Sequence, residues 1–249
     1  LSSPAGNDLL FDSNLCEQGR NFTNKIWNSF RLIQSWTVSD EVIQEDSSKI
    51  ALKWIESKIA ENIEKINKSY DQFRISEALM ITYKTIWDDY CSWFLEMVKP
   101  DYQQPIDQIT YQSVVKILES LLKIVHPFTP FIAEEIWQQL KNRNNTYIVN
   151  ASWPTNLKLD SLVLTEFNNF QEVVMCVRNL RKENNISNKV LLELHIKINN
   201  HWSSHFDSLL VKICNLSFIQ FSKDSIPRSY SFIVSNNEFF VPFTESINF

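Results

Sequence analysis

The stretch LKWIESKIAENIEKINKSYDQF, residues 52–73, decides the fold class of this 249-residue chain. Its apolar residues recur every three or four positions, which is the period of one face of an α-helix packed lengthwise in a bundle. These positions are Leu52, Ile55, Ile59, Ile63, Ile66, Tyr70 and Phe73. We therefore predict a long second helix that begins at Asp46 or Ser47 and faces a helical core along its whole length.

Similar apolar periods occur on both sides of this helix. They predict a first helix over about 13–36, a third over about 75–98 and a fourth from about residue 110. The stretch HPFTP, residues 126–130, separates the fourth helix from a fifth that ends near residue 141. The threonine of this stretch can cap the fifth helix, because the following proline suits its first turn. Four or five long amphipathic helices in succession predict a bundle.

The pattern changes after the connector NASWPTN, residues 150–156. One more helix is predicted over about 164–183 and a short one over about 204–214. Four runs rich in β-branched and aromatic residues predict strands at 191–198, 216–221, 231–234 and 238–243. The fold class is therefore mainly α, a helical bundle followed by a small α+β subdomain.

Composition excludes several classes of site. The chain holds only two glycines, so it contains neither a glycine-rich phosphate loop nor a dinucleotide-binding fingerprint. Its four cysteines form no CxxC pair, which argues against a zinc knuckle or a disulfide framework and favours reduced thiols. No signal peptide is visible, and no apolar run is long enough to span a bilayer. We therefore expect a segment of a larger cytoplasmic protein with no membrane partner.

No pattern predicts a catalytic centre. His201 and His205 have the i, i+4 spacing of helical metal ligands but lack a third ligand, so we interpret them as surface histidines. Asp88-Asp89 and Glu134-Glu135 are adjacent pairs, whereas carboxylates for acid–base chemistry must converge on one atom. We interpret both pairs as parts of solvated faces. We therefore expect no catalytic residue, no metal and no cofactor in this chain.

The predicted first helix carries an unusual polar stripe. Its four members fall at i, i+3, i+4 and i+7 and so share one side of the helix: Asn21, Asn24, Lys25 and Asn28. Asparagine is a weak helix former, and a merely solvated face is more easily built from Glu, Lys and Gln. Trp27 flanks the stripe, and Arg20 and Arg31 are interleaved with it. Recognition of single-stranded RNA uses this combination, but a stripe that hydrogen-bonds a neighbouring helix or loop explains it too.

The formal net charge of −5 argues mildly against bulk affinity for nucleic acid, but its distribution is uneven. Residues 13–36 hold three basic side chains and one acid, a local charge of +2. Residues 178–189 hold four basic side chains and one acid, a local charge of +3. Their basic residues are Arg178, Arg181, Lys182 and Lys189. The chain therefore has two basic segments on an acidic body.

Taken together, the motifs resemble the C-terminal part of class I valyl-tRNA synthetases over essentially the whole chain. LSSPAGNDLLFD (1–12) is similar to the segment after the catalytic KMSKS loop, and GRNFTNKIWNSFRLI (19–33) to the first helix of the anticodon-binding bundle. IVHPFTPFIAEEIWQQL (124–140) is similar to an element that leucyl and isoleucyl enzymes share. VRNLRKENNIS (177–187) and EFFVPF (238–243) are closer to the valyl enzymes.

The resemblance implies three parts. These are a connector at 1–12, the anticodon-binding helical bundle at 13–155, and a helix plus small α+β subdomain at 156–249 that leads to a missing coiled coil. It implies a valine-accepting tRNA as partner, bound through the anticodon stem–loop, with no DNA and a monomeric protein. The parent enzyme attaches valine to tRNA with ATP and Mg²⁺. Because the HIGH and KMSKS motifs and the editing domain are absent, we expect the segment alone to be non-catalytic.

The resemblance also implies that the first helix faces the anticodon loop. The implied tRNA-binding residues are Arg20, Asn21, Asn24, Lys25, Trp27, Asn28 and Arg31. Every valine anticodon ends in A-C, and asparagine can pair bidentately with an adenine edge, while the basic side chains contact phosphates. Gly19 permits either close approach of RNA backbone or a tight helix crossing. Two other hypotheses stay open, namely the anticodon domain of a leucyl or isoleucyl enzyme and a helical protein scaffold.

Overall fold

The computed structural model describes residues 12–141, 146–155, 158–198 and 202–242. The chain divides into two compact units, the first ending at Asp160 and the second beginning at Ser161. Nearly all of the predicted connector, His201 of the histidine pair and the last residue of the fourth predicted strand lie outside the described residues. The predicted boundary at residue 155 is close to this division, and the three-part organisation stays a prediction.

The first unit is a bundle of helices. In chain order its α-helices are α1 (Ser13–Gln34), α2 (Asp46–Asp71), α3 (Ile75–Lys84), α4 (Leu95–Val98), α5 (Gln108–Val125) and α6 (Pro130–Leu140). The shorter elements are a π-helical segment at Thr85–Phe94, a 3₁₀ turn at Ile148–Asn150, and the parallel pair β1 (Val38–Ser39) and β2 (Ile106–Asp107). The predicted mainly α fold class is confirmed.

The apolar seam of α2 forms part of the core, as its period predicts. Leu52, Ile55, Ile59, Ile63 and Ile66 are buried, with exposed fractions of 8% or less. The prediction is wrong at Phe73, which is 89% exposed. The reason is local, because α2 ends at Asp71 and Phe73 follows in a turn with a φ of 57°. The seam therefore ends one turn earlier than the sequence pattern indicates.

The predicted third helix is continuous but not uniformly α-helical. Its middle, Thr85–Phe94, is π-helical, with backbone hydrogen bonds that span five residues instead of the four spanned in the flanking α3 and α4. Thr85 and Asp89 both lie within 3.2 Å of the Asn62 amide of α2. This wider turn and its polar contact with α2 were not predicted by the apolar period.

Helix α6 begins as predicted, but its cap differs. Thr129 lies at the N-cap position and Pro130 occupies the first turn. The Thr129 hydroxyl donates to the Val125 carbonyl at 3.4 Å instead of accepting from the first turn of α6. The prediction of a side-chain cap is therefore wrong, because the hydroxyl satisfies a carbonyl at the end of α5.

The second unit combines two α-helices with a mixed four-stranded sheet. Its elements are α7 (Ser161–Glu183), a 3₁₀ turn at Ser204–Phe206, α8 (Asp207–Cys214), β3 (Leu192–Lys197), β4 (Leu216–Ser222), β5 (Ser229–Val234) and β6 (Asn237–Pro242). The strand order is β4-β3-β6-β5, with β3 and β4 parallel and the other pairs antiparallel. Strand β3 alternates buried and half-buried residues, so one face of the sheet covers a core. The predicted small α+β subdomain is confirmed.

Candidate nucleic-acid interface

Helix α1 presents the predicted polar stripe because its opposite face is fixed in the core. Asp12 caps the helix, with its carboxylate accepting from the Asn14 N–H at 2.8 Å. The core side consists of Phe22, Ile26, Ser29, Phe30 and Ile33, all buried. This buried side sets the rotation of the helix, so the polar stripe is directed away from the core.

The three asparagines of the polar stripe are exposed. Asn21, Asn24 and Asn28 make no side-chain hydrogen bond to any part of the chain that the structure describes. Each amide offers two donated hydrogens and one acceptor oxygen. The interpretation in which these side chains bond a neighbouring helix or loop of this chain therefore finds no support in the described residues.

Lys25 is held at one edge of the stripe by aromatic rings. Its Nζ lies 5.4 Å from the ring centroid of Trp87, a cation–π distance. Trp87 stacks on Tyr83 with centroids 5.6 Å apart, and Tyr83 lies 4.9 Å from the buried ring of Phe22. The half-buried Lys25 side chain is thus positioned by the π-helical segment and α3 together.

Trp27 is half-buried, and its ring centroid is 5.5 Å from that of the fully buried Phe30. One part of the indole therefore covers the core and another part meets solvent. Arg20 and Arg31 are exposed and form no ion pair within the described ranges. The two guanidinium groups are therefore accessible at the two ends of the polar stripe.

Gly19 is exposed, and an added Cβ there meets no described atom within 4 Å. A tight helix crossing requires close contact at this point, and the residues that the structure describes provide none. The alternative, close approach of RNA backbone, stays a prediction.

A cleft beside α1 was not predicted from the sequence. It has a volume of about 680 Å³ and is lined by Thr23 of α1, by residues 128–132 and by Glu135. Phe131 in this cleft is 90% exposed, whereas Ala133 and Ile136 of the same helix are buried. The sequence contains a signal for this, because Phe131 lies off the apolar line of α6. The cleft places an exposed aromatic ring next to the helix that carries the polar stripe.

The interpretation of the acidic pairs as solvated faces is wrong for one member of each. Asp88 is exposed, but Asp89 is half-buried and accepts from the Asn62 amide at 3.2 Å. Burial raises the pKa of Asp89 to about 6, against the opposing effects of Lys58 and Asn62. Glu134 is half-buried as well and accepts from the Ile148 N–H at 2.9 Å. Both carboxylates therefore join elements of the bundle, Asp89 to α2 and Glu134 to the 3₁₀ turn.

No group of three metal-binding side chains occurs in the described parts of the chain. His205, one member of the predicted surface pair, is exposed and its Nδ1 lies 3.0 Å from the Glu166 carboxylate. Across the same residues, no helix is both long and apolar enough to cross a bilayer.

Comparison with protein families relates this geometry to a known domain. The sequence model described as the anticodon-binding domain of tRNA ligase matches residues 52–196, more than half of the chain. The chain belongs to this family. Membership implies tRNA binding. The match begins in α2, so α1 and the polar stripe lie outside it.

Curated relatives match the whole chain, including α1. A valine–tRNA ligase of Christiangramia forsetii is 45% identical over 249 residues and one of Parabacteroides distasonis is 44% identical over 249 residues. A valine–tRNA ligase of Bacillus cereus is 30% identical over 260 residues. The chain spans 28% of the length of the first two relatives and 29% of the third. The predicted resemblance to valyl-tRNA synthetases is confirmed, and a leucyl or isoleucyl relation is not favoured.

Proposed function

We propose that this chain reads the anticodon of a valine-accepting tRNA for a valine–tRNA ligase. The observation that carries the proposal is the row of three exposed asparagines on α1 whose amides have no partner within the described residues. An amide that has no protein partner is free to pair with a base edge, and asparagine suits adenine, which every valine anticodon contains. The names of the relatives support the choice of amino acid.

Each residue of the site has a proposed role. Asn21, Asn24 and Asn28 read bases, while Arg20 and Arg31 contact phosphates at the two ends of the polar stripe. Lys25 contacts a phosphate too, and its cation–π contact with Trp87 limits how far the ammonium group moves. Trp27 is half-buried, which supports a double role in which the indole packs on Phe30 and stacks on an unpaired base.

The ligase reaction belongs to the rest of the protein in this proposal. The enzyme attaches valine to tRNA with ATP and Mg²⁺ in the cytoplasm, and this chain supplies RNA binding as a monomer without a cofactor of its own. The presence of only two glycines supports that division, because nucleotide-binding loops depend on glycine. Neither DNA nor a membrane is a partner.

The test is a filter-binding titration with RNA hairpins that carry valine, leucine or isoleucine anticodons. We expect the valine hairpin to bind best and Asn24→Ala to weaken its binding by about 1–3 kcal/mol, with little effect on a hairpin already mismatched at that base. Asn67→Ala is the matched control, because Asn67 is an exposed asparagine of α2 that lies outside the polar stripe. Equal effects of the two substitutions on every hairpin contradict base reading by the stripe.

The salt dependence of the same titration separates RNA binding from a protein scaffold. Phosphate contacts release counterions, so an RNA-binding surface loses affinity steeply as salt rises. If RNA binding is absent and a helical protein partner is captured through the same asparagines, the scaffold hypothesis replaces the proposal. Preference for a leucine or isoleucine hairpin assigns the domain to a sister enzyme.

A further inference from the structure

The second unit contains a basic pocket that has no role in the proposed reading of the anticodon. This pocket, the α7–α8 pocket, has a volume of about 590 Å³ and lies between the last turns of α7, the turn that follows and the C-terminal end of α8. Its basic residues are Arg178, Arg181 and Lys182. None of the ten described residues that line it is acidic. The pocket therefore contains part of the basic segment 178–189.

Arg181 builds the pocket and contributes a fixed charge to it. The side chain is 5% exposed, and its guanidinium donates to the carbonyls of Ser187 at 2.9 Å, Cys214 at 2.8 Å and Asn215 at 3.2 Å. These acceptors are neutral, so they satisfy the donors without cancelling the charge. Arg181 thus holds the turn after α7 against the end of α8 and leaves a positive charge in the wall.

The rest of the wall is fixed and uncharged. Asn215 ends α8 in the left-handed conformation, with a φ of 51°, and its amide donates to the Asn188 carbonyl at 2.8 Å. Asn185 also adopts a positive φ, of 53°, in the turn after α7. Burial raises the pKa of the Cys214 thiol to about 12, so the thiol stays neutral near pH 7 and does not offset the cations.

Two further cations lie where a ligand can reach them. Arg178 and Lys182 are exposed and four residues apart on α7, so they lie on one face of the helix. Lys182 forms no ion pair with any residue in the described ranges. A phosphate oxygen suits this arrangement, because guanidinium and ammonium groups are the usual phosphate donors of proteins.

We propose that the α7–α8 pocket binds a phosphate of the tRNA backbone, with Arg178 and Lys182 as the contacting cations and Arg181 as a positioning residue. This rests on the proposed function for the identity of the RNA. The match to the anticodon-binding family supports the proposal, because it extends through α7 to residue 196 and so includes these three residues. The pocket binds the RNA without reading its sequence, because phosphate groups are the same at every nucleotide and carry no sequence information.

The experiment measures binding of whole valine-accepting tRNA by residues 1–249, from 50 mM to 200 mM salt, for the wild type, Lys182→Gln and Lys223→Gln. Lys223 is the matched control, an exposed lysine of the same unit that does not line the pocket. We expect Lys182→Gln to weaken binding about 5- to 10-fold at 50 mM salt. Each phosphate contact lowers the affinity about 3-fold when salt rises from 50 mM to 200 mM. The salt-induced loss of affinity should therefore be about 3-fold smaller for Lys182→Gln than for the wild type. Arg178→Gln should act in the same direction.

The outcomes separate this proposal from anticodon reading. If the wild type prefers the valine anticodon and Lys182→Gln behaves like Lys223→Gln, the pocket is not an RNA site and the proposed function stands. If the wild type has no anticodon preference but Lys182→Gln still flattens the salt dependence, the pocket stands and the proposed function fails. A wild type that binds no tRNA overturns both.

Inorganic phosphate is the probe for a small-anion site. Calorimetric titration of the wild type and Lys182→Gln with phosphate shows whether a free anion binds in the pocket. Tight binding of free phosphate that Lys182→Gln abolishes, with tRNA affinity unchanged, assigns the pocket to a small anion and overturns the RNA proposal. An unchanged melting temperature of Lys182→Gln and of Arg178→Gln shows that the contacts of Arg181 are intact in these variants.

Discussion

Truncation of Trp27 is the sharpest test of how α1 divides its surface between core and ligand. The indole is half-buried and contacts Phe30, which is itself fully buried. We therefore expect Trp27→Ala to affect both the stability of the first unit and the affinity for RNA. A purely structural tryptophan affects only stability, and a purely RNA-binding one affects only affinity.

The magnitude follows from comparison with Trp54 of α2, which is 2% exposed. Truncation of a fully buried tryptophan to alanine costs about 3–5 kcal/mol of unfolding free energy. Because only part of the Trp27 indole is buried, we expect Trp27→Ala to cost about half of that, roughly 1.5–2.5 kcal/mol. Loss of a stacked base adds a separate loss of about 1–3 kcal/mol in RNA binding.

The assay pairs urea unfolding with binding to the valine anticodon hairpin, for Trp27→Ala, Trp27→Phe and Trp54→Ala. Phenylalanine retains a stacking ring, so Trp27→Phe should recover most of the binding. Binding by Trp54→Ala is measured where the variant is still folded and should match the wild type. The reasoning is refuted if Trp27→Ala destabilises as much as Trp54→Ala and leaves binding unchanged, because Trp27 is then a core residue only.

Three further predictions concern Lys25, the titration of Asp89 and the catalytic activity of the chain alone. Lys25→Gln should weaken matched and mismatched hairpins alike and flatten the salt dependence by about one phosphate contact, as filter binding at several salt concentrations will show. Asp89 has a folded pKa of about 6 and an ordinary value near 4 when unfolded, so the first unit should lose stability as pH rises from about 4 to 6 and then stay level. Asp89→Asn should remove that loss in urea titrations at each pH. The chain alone should show no valine-dependent pyrophosphate exchange, and any such exchange contradicts the assignment of catalysis to the rest of the ligase.

The elements that the sequence predicts best are those whose apolar residues keep one period over several turns. Helix α2 begins at Asp46 as predicted, and the four strands of the second unit lie within two residues of their predicted limits where they are described. An apolar pattern that keeps one period over several turns combines the burial preferences of many residues. One exception such as Phe73 therefore changes where the predicted element ends and not whether it is a helix or a strand. The limits of each element depend instead on single turns.

Features that depend on a contact between distant residues were not predictable in the same way. The π-helical segment places Thr85 and Asp89 against the Asn62 amide of α2, and neither position looks different from an α-helical one in the sequence. Asp89 and Asp88 are chemically identical, yet only Asp89 lies beside Lys58, Glu61 and Asn62, where burial raises its pKa. A pattern along one helix does not contain the neighbours that decide whether a carboxylate is solvated.

The same limit applies differently to the two basic segments. In α1 the sequence marks the candidate site directly, because three asparagines at helical spacing are weak helix formers that a merely solvated face does not explain. In the segment 178–189 the four cations look alike, and only the fold separates buried Arg181, which donates to three carbonyls, from exposed Lys182. The charges in a sequence thus locate a basic surface. The acceptors around each cation in the fold decide whether that cation stabilises the protein or is available to bind a ligand.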